Sequence, residues 1–84
     1  MTDQEFELLD ALYFVASFEE LKAELHWEEF VLRDRLLDLY HKGWLKCLNY
    51  TKDEEVDDLK DFEFQYKNYH YLASKEGLLA HNSK

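Results

Sequence analysis

The chain has 84 residues, of which 46% are hydrophobic and 17% aromatic, with two glycines and no proline. This length provides for one small domain over residues 1–84, and the composition excludes a linker or a disordered tail. The 19 acidic residues outnumber the ten basic ones, and the net charge of −9 favours solubility and repels polyanions such as bare nucleic acid.

Two capping boxes predict the first two helices. In each box a hydroxyl residue is followed three positions later by a glutamate: Thr2 with Glu5, and Ser17 with Glu20. The hydroxyl accepts from a free backbone N–H of the first turn, and the glutamate accepts from the N–H of the capping residue. Apolar residues then recur at helical spacing. The sequence therefore predicts helices over 3–15 and 18–25.

A third helix is predicted over 28–42, after a turn at His26 and Trp27. Its leucines recur at i, i+4 and i+7 and are expected to form a buried stripe: Leu32, Leu36 and Leu39. Gly43 stands where a helix commonly ends in a left-handed glycine.

After Gly43 the apolar period changes from 3.6 to 2, which indicates strands. A first strand is expected over 44–50 and a second over 62–72, where aromatic and polar residues alternate. The acidic stretch 51–61 has no turn glycine and is expected to form a loop between them. Ser74 is expected to cap a short final helix.

The order of helix, short helix, turn, helix, glycine and hairpin resembles a winged helix-turn-helix domain. The segment YLASKEGLL, residues 71–79, is similar to the segment that ends many wings in small bacterial regulators. The resemblance implies an α+β fold of three helices, a two-stranded β-hairpin wing and a short C-terminal helix. The alternative is another small α+β domain whose helices and hairpin pack differently. Five further residues resemble the third helix and first wing strand of that family: Leu32, Leu36, Leu39, Gly43 and Leu45.

Members of the family usually bind DNA with the third helix in the major groove and the wing on the phosphates. If the leucine stripe points inward, the outer face of the third helix carries the candidate partner-binding residues: Glu28, Glu29, Phe30, Val31, Arg33, Asp34, Arg35 and Asp38. The candidate wing residues are Asp53, Glu54, Glu55, Asp57 and Asp58. Of all these, only Arg33 and Arg35 are suited to guanine or phosphate.

The carboxylates on these surfaces oppose DNA binding. A carboxylate about 6 Å from a phosphate is repelled by roughly 0.7 kcal/mol in water before salt screening. Several such pairs total about 2–3 kcal/mol, against about 5–8 kcal/mol for non-specific DNA binding. Exposed apolar residues such as Phe30 and Val31 suit a protein partner with a basic rim, and Tyr69 and Tyr71 are expected to add exposed contact area near the hairpin.

The sequence predicts neither catalysis nor a cofactor or metal. The acidic run 53–61 lacks the central glycine and the ligand alternation of a calcium loop. The four histidines and Cys47 do not fall at zinc-ligand spacings. We find no nucleophile constellation and no glycine-rich phosphate loop. We expect no enzyme activity and no small-molecule substrate.

One cysteine excludes an internal disulfide and fits a reducing compartment. Apolar runs are shorter than the ~18 residues of a membrane span, and MTDQEFELL lacks the basic region of a signal peptide. We therefore expect a soluble, cytoplasmic, non-enzymatic domain that acts as a protein-interaction module in regulation, by self-association or by docking a basic partner. One alternative is a DNA-binding transcriptional regulator that places the third helix in the major groove. Another is a DNA mimic that occupies the phosphate site of a second regulator.

Overall fold

The computed structural model describes residues 1–51 and 54–83. Within them the chain is α+β, with five helices and a four-stranded antiparallel sheet. In chain order the elements are α1 (Asp3–Ala11), β1 (Ala16–Ser17), α2 (Phe18–Leu25), α3 (Glu29–His41), β2 (Leu45–Asn49), β3 (Glu54–Val56), α4 (Phe62–Gln65), β4 (His70–Ala73) and α5 (Lys75–Asn82).

Both capping boxes are confirmed at the starts of α1 and α2. However, α1 ends at Ala11 and not at residue 15 as predicted. The carbonyl of Leu12 accepts a hydrogen bond from the Ala73 N–H at 2.9 Å, which ties the chain to the end of β4. The following residues leave the helix, and Ala16–Ser17 pair with β4 as a short strand that the sequence did not predict.

The predicted turn between the second and third helices is confirmed at His26. His26 adopts the left-handed conformation, with φ 58° and ψ 31°, and its N–H donates to the Lys22 carbonyl. A left-handed residue with a side chain costs about 1–2 kcal/mol. Leu25 and Trp27, on either side of His26, pack against the core and offset this cost. The turn leaves three residues, 26–28, between α2 and α3.

The predicted glycine at the end of α3 is confirmed, with φ 77° at Gly43. The N–H of Gly43 donates to the Tyr40 carbonyl and the N–H of Trp44 donates to the Leu39 carbonyl. These two bonds form a Schellman motif, which satisfies the last carbonyls of the helix and turns the chain into β2.

The sheet differs from the predicted two-stranded wing. Its order is β1-β4-β2-β3, so β2 lies between β3 and β4 and pairs with both. The stretch 51–61, expected to be a loop, contains β3, in which Val56 pairs with Cys47 of β2. The second strand predicted over 62–72 is wrong for its first half, because the strand itself spans only His70–Ala73.

The residues Phe62–Gln65 form a helical turn because the aromatic spacing also fits a helix. Phe62 and Tyr66 are four residues apart, and both are buried on the same side of α4, with the Tyr66 N–H donating to the Phe62 carbonyl. On a strand Phe64 would share their face. On α4 it points away and is 77% exposed.

The core lies between α1, α2 and α3 and the inner face of the sheet. The predicted stripe of Leu32, Leu36 and Leu39 is confirmed, since all three are buried. Tyr71 is fully buried and its hydroxyl donates to the Tyr66 carbonyl at 2.6 Å. Tyr69 is also buried, so the expectation that Tyr69 and Tyr71 are exposed was wrong.

The start of α5 is fixed against the end of α3 and the start of β2. The Ser74 hydroxyl accepts from the Gly77 N–H at 3.0 Å and donates to the Gly43 carbonyl at 2.6 Å. The Ser74 N–H donates to the Trp44 carbonyl. Gly77 lies so close to Trp44 that a Cβ on it would be 1.9 Å from the Trp44 carbonyl oxygen.

The N-terminus of α1 is held to the end of α3 by Glu5, which is buried and pairs with the Lys42 ammonium. Burial raises the pKa of Glu5, but the hydrogen bond from Lys42 and those at Thr2 lower it by more, so that its pKa lies below the ordinary value. The ionised carboxylate therefore stabilises the folded domain.

We expect acid to destabilise the domain as the pH falls below 4.5, the ordinary pKa of Glu5. A carboxyl with a lowered folded pKa contributes its full stabilisation above its unfolded pKa and loses it as the pH falls through the folded pKa. Urea unfolding between about pH 6 and pH 3 measures the effect. Glu5→Gln should flatten the pH dependence, and Glu7→Gln, at an exposed position of the same helix, should not. Equal pH slopes for the two variants would contradict this role of Glu5.

Candidate interaction surface on the third helix and beside the third strand

The outer face of α3 divides into a ridge and two flanks. Leu32, Leu36 and Leu39 point into the core. The helical period places Phe30, Asp34 and His41 opposite them, with Asp38 to one side of this line. Phe30 is 53% exposed, and both aspartates are exposed. A partner approaching α3 from outside therefore meets an aromatic ring and two carboxylates first.

The two arginines of α3 are each paired with an aspartate of the same helix. Arg33 contacts Asp34 at 2.9 Å, and Arg35 contacts Asp38 at 3.0 Å. The Arg33 guanidinium also lies 4.7 Å from the centre of the Phe30 ring. These contacts hold the guanidinium groups against the helix and reduce the positive charge that they present outwards.

The short helix α4 covers one flank of α3 near its N-terminus. The Tyr66 hydroxyl donates to the Glu29 carboxylate at 2.6 Å, and the Lys67 ammonium contacts the same carboxylate at 3.0 Å. The hydrogen bond from Tyr66, followed by that from Lys67, lowers the pKa of Glu29, and the hydrogen bond to Glu29 raises the pKa of both partners. Glu29 is therefore a link between α3 and α4 and is not free for a partner.

Three other residues of the predicted partner-binding set differ from one another in exposure. Glu28 is the exposed N-cap residue of α3, and its side chain makes no capping hydrogen bond. Val31 is half-buried. The Nε atom of Arg35 is buried and has no hydrogen-bond partner among the residues that the structure describes.

A groove runs between α3 and residues 59–63, with a cavity volume of about 340 Å³. Its apolar residues are Leu37, Leu59 and Phe62, and its rim carries charges of both signs. Sequence reasoning identified Arg33 and Asp34, which lie on this rim, but not the apolar residues. The sequence alone did not single out Leu37, because its place in the groove depends on where residues 59–63 lie.

The predicted wing residues that the structure describes are all exposed and lie together along one segment. Glu54 and Glu55 belong to β3, Asp57 and Asp58 follow it directly, and Asp53 lies outside the described residues. They line a second cleft, with a volume of about 320 Å³, which Asp61 and Tyr69 also line. The structure thus brings the acidic residues into one cleft beside the sheet, which adjoins the groove on α3 at Lys60.

The described residues offer no group of three or more histidines, cysteines or acids that could hold a metal ion. Cys47 is buried in the core, and this burial raises the pKa of its thiol to about 12. The thiol is therefore protonated at neutral pH and is a packing group in β2. Over residues 1–51 and 54–83 no helix is both long and apolar enough to cross a membrane.

Comparison of the chain with protein-family models, with curated proteins and with solved structures finds no match.

Proposed function

We propose that this domain is a non-enzymatic protein-interaction module on a winged-helix scaffold. Its partner surface is the outer face of α3 together with the groove beside residues 59–63. The observation that carries the proposal is the pairing of Arg33 with Asp34 and of Arg35 with Asp38, which leaves little free positive charge on the surface that winged-helix proteins usually offer to DNA.

The connection between α2 and α3 supports the winged-helix interpretation. A three-residue turn between two helices is the length found in helix-turn-helix motifs. The antiparallel pair of β2 and β4 follows α3 and runs into the segment 71–79, which the resemblance implies for the end of a wing, and β3 lies in the connection between the two strands. With this assignment the wing carries Glu54 and Glu55, and its carboxylates would face the phosphates of a bound duplex.

The groove supports a protein as the partner. An apolar floor surrounded by charges of both signs suits a side chain anchored in a pocket with a polar rim. Phe30, at 53% exposure, adds an aromatic ring to the same face of α3. A polyanion would gain nothing from the apolar floor, and it would find both arginines of this face already paired with Asp34 and Asp38.

DNA binding is the second candidate, because the helix-turn-helix connection also serves DNA-binding proteins. A mobility-shift assay with mixed genomic DNA tests it. We expect no retardation at about 150 mM salt, for the wild type as for Arg33→Ala and Arg35→Ala. Retardation at low salt that falls steeply with added salt and is lost in these two variants would overturn the protein-interaction proposal in favour of a DNA-binding regulator.

The protein partner is tested by light scattering after size exclusion and by capture from an extract of the source cells. We expect a dimer or a captured protein, and we expect Phe30→Ser to abolish it because the variant removes the exposed ring from α3. Tyr50→Ser is the matched control, since Tyr50 is equally exposed but lies at the end of β2. A complex insensitive to Phe30→Ser would place the partner surface elsewhere and contradict the role of α3.

A further inference from the structure

Four residues of α3 form one stripe along the side of the helix that borders the groove. They follow the spacing i, i+3, i+4 and i+7, which brings side chains to the same side of a helix. Three of them line the groove, and the exposed ring of Phe30 lies one turn before the Arg33 guanidinium that contacts it. The stripe is apolar at both ends and carries one charge of each sign in its middle. Its residues are Phe30, Arg33, Asp34 and Leu37.

This stripe is complementary to its own reverse. If two α3 helices pack antiparallel about a two-fold axis between positions 33 and 34, residue 30 of one copy meets residue 37 of the other, and residue 33 meets residue 34. Arg33 then faces the Asp34 carboxylate of the second copy, and Phe30 faces its Leu37. Each of these contacts occurs twice, because the two-fold axis repeats it on the other side.

A parallel arrangement of the two helices does not fit the charges. It would place Asp34 against Asp34 and Arg33 against Arg33, and like charges that meet across an interface oppose binding. It would also leave the groove empty. The antiparallel arrangement instead brings Phe30 of each copy to the groove of the other, whose apolar floor includes Leu37. An aromatic ring on an apolar floor surrounded by charges is the usual anatomy of a protein interface.

The pair of Arg33 and Asp34 within one chain leaves room for this second contact. The Nε and Nη2 atoms of Arg33 both contact the Oδ1 atom of Asp34, at 3.0 Å and 2.9 Å. Among the described residues the Oδ2 atom of Asp34 has no partner, and a guanidinium carries five N–H donors. Each group therefore has capacity for a further charge-assisted hydrogen bond to a second copy, and neither has to leave its own partner.

We propose that the partner of the outer face of α3 is a second copy of this chain, bound as a two-fold dimer with antiparallel α3 helices. Phe30 of each copy lies on Leu37 in the groove of the other, and Arg33 of each copy pairs with Asp34 of the other. This inference rests on the proposed function, because it names the partner of the same surface. The net charge of −9 on each copy opposes contacts without such matched charges, so the stripe selects this register.

The test is an exchange of charges, followed by sedimentation equilibrium of the full chain at up to about 200 μM in about 150 mM salt, which screens the net charge. We expect the wild type to be a dimer. Arg33→Asp and Asp34→Arg each bring like charges together across the axis, so each variant should self-associate at least about tenfold more weakly. An equal mixture of the two variants should form a heterodimer as tight as the wild-type dimer, because opposite charges face each other again.

Matched controls separate this contact from net charge and from misfolding. Lys75→Asp and Glu24→Arg make the same two changes of charge at exposed positions of α5 and α2, and both should dimerise like the wild type. The double variant Arg33→Asp, Asp34→Arg restores opposite charges within one chain and should dimerise again. Thermal unfolding of every variant shows whether it is folded, and the surface positions of both residues predict unfolding temperatures close to that of the wild type.

A wild-type chain that stays monomeric, single variants that associate like the wild type, or a mixture that does not associate would overturn the inference. A disulfide between two copies of His41→Cys would overturn the antiparallel register, which separates these positions by about 22 Å along the helices, too far for a disulfide. A monomeric chain that captures a different protein through Phe30 would exclude the second copy as the partner and leave the proposed function in place, so the two failures are distinguishable.

Discussion

Replacing Gly77 by alanine is expected to lower the free energy of unfolding by about 3 kcal/mol or more. The added Cβ would be 1.9 Å from the Trp44 carbonyl oxygen and 3.1 Å from a methyl carbon of Leu9. The carbonyl cannot move aside easily, because it accepts the Ser74 N–H at the start of α5. A domain of this size has a total stability of only about 4–13 kcal/mol, so the variant should unfold at a much lower urea concentration.

The sign of this effect separates packing from helix propensity. Gly77 lies inside α5, where alanine is intrinsically favoured over glycine by about 1 kcal/mol. Gly43→Ala is the matched control, since a Cβ there has open space but the residue has φ 77°. The control should cost about 1–2 kcal/mol through backbone strain alone. A Gly77→Ala variant as stable as the wild type would show that α5 can move away from Trp44.

Leu36→Ala is expected to lower the free energy of unfolding by about 3 kcal/mol. Leu36 is 1% exposed and belongs to the buried stripe of α3, so its truncation leaves a cavity in the core. The neighbouring Leu37 is half-buried and lines the groove beside residues 59–63. Leu37→Ala should cost about 1 kcal/mol but should weaken the partner complex, because it removes part of the apolar floor.

Urea unfolding and partner binding measured on both variants test this division of the helix. The expected pattern is a large loss of stability for Leu36→Ala and a large loss of affinity for Leu37→Ala. Similar losses of stability would contradict the assignment of Leu37 to the groove. Unchanged affinity of Leu37→Ala would remove the groove from the partner surface while leaving the rest of the outer face of α3 in place.

Features that depend on a few neighbouring residues could be predicted from the sequence. The capping boxes at Thr2 and Ser17 and the glycine at position 43 satisfy backbone groups within one turn of helix, so the signal and the structure lie in the same segment. The buried leucines of α3 were predicted for the same reason, since the helical period alone brings them to one face.

Features that depend on distant pairing could not be predicted in the same way. Ala16–Ser17 form a strand because β4 lies beside them, and Glu54–Val56 because β2 does. Neither segment has the β-branched, alternating composition of a typical strand. Over 62–66 the aromatic residues are spaced both for a strand, at every second position, and for a helix, at every fourth. The segment forms a helix, in which Phe62 and Tyr66 are buried on the same side.

The same distinction applies to the candidate surfaces. The sequence placed Arg35 and Asp38 on the outer face of α3, and their i, i+3 spacing on a helix accounts for the ion pair between them. The link from Tyr66 and Lys67 to Glu29 was missed because residues 62–72 were assigned to a strand. Tyr69 was identified as aromatic, but its position in the acidic cleft depends on how the segment after β3 returns to the sheet.

The acidic end strand also limits how copies of the chain can meet. Glu54 and Glu55 are exposed residues of β3, the end strand of the sheet, and a strand added to β3 would lie only about 4.8 Å away. A second copy stacked there would bring identical carboxylates together, whereas charged side chains on edge strands are a common protection against fibril growth. At neutral pH this edge should therefore resist amyloid-like stacking.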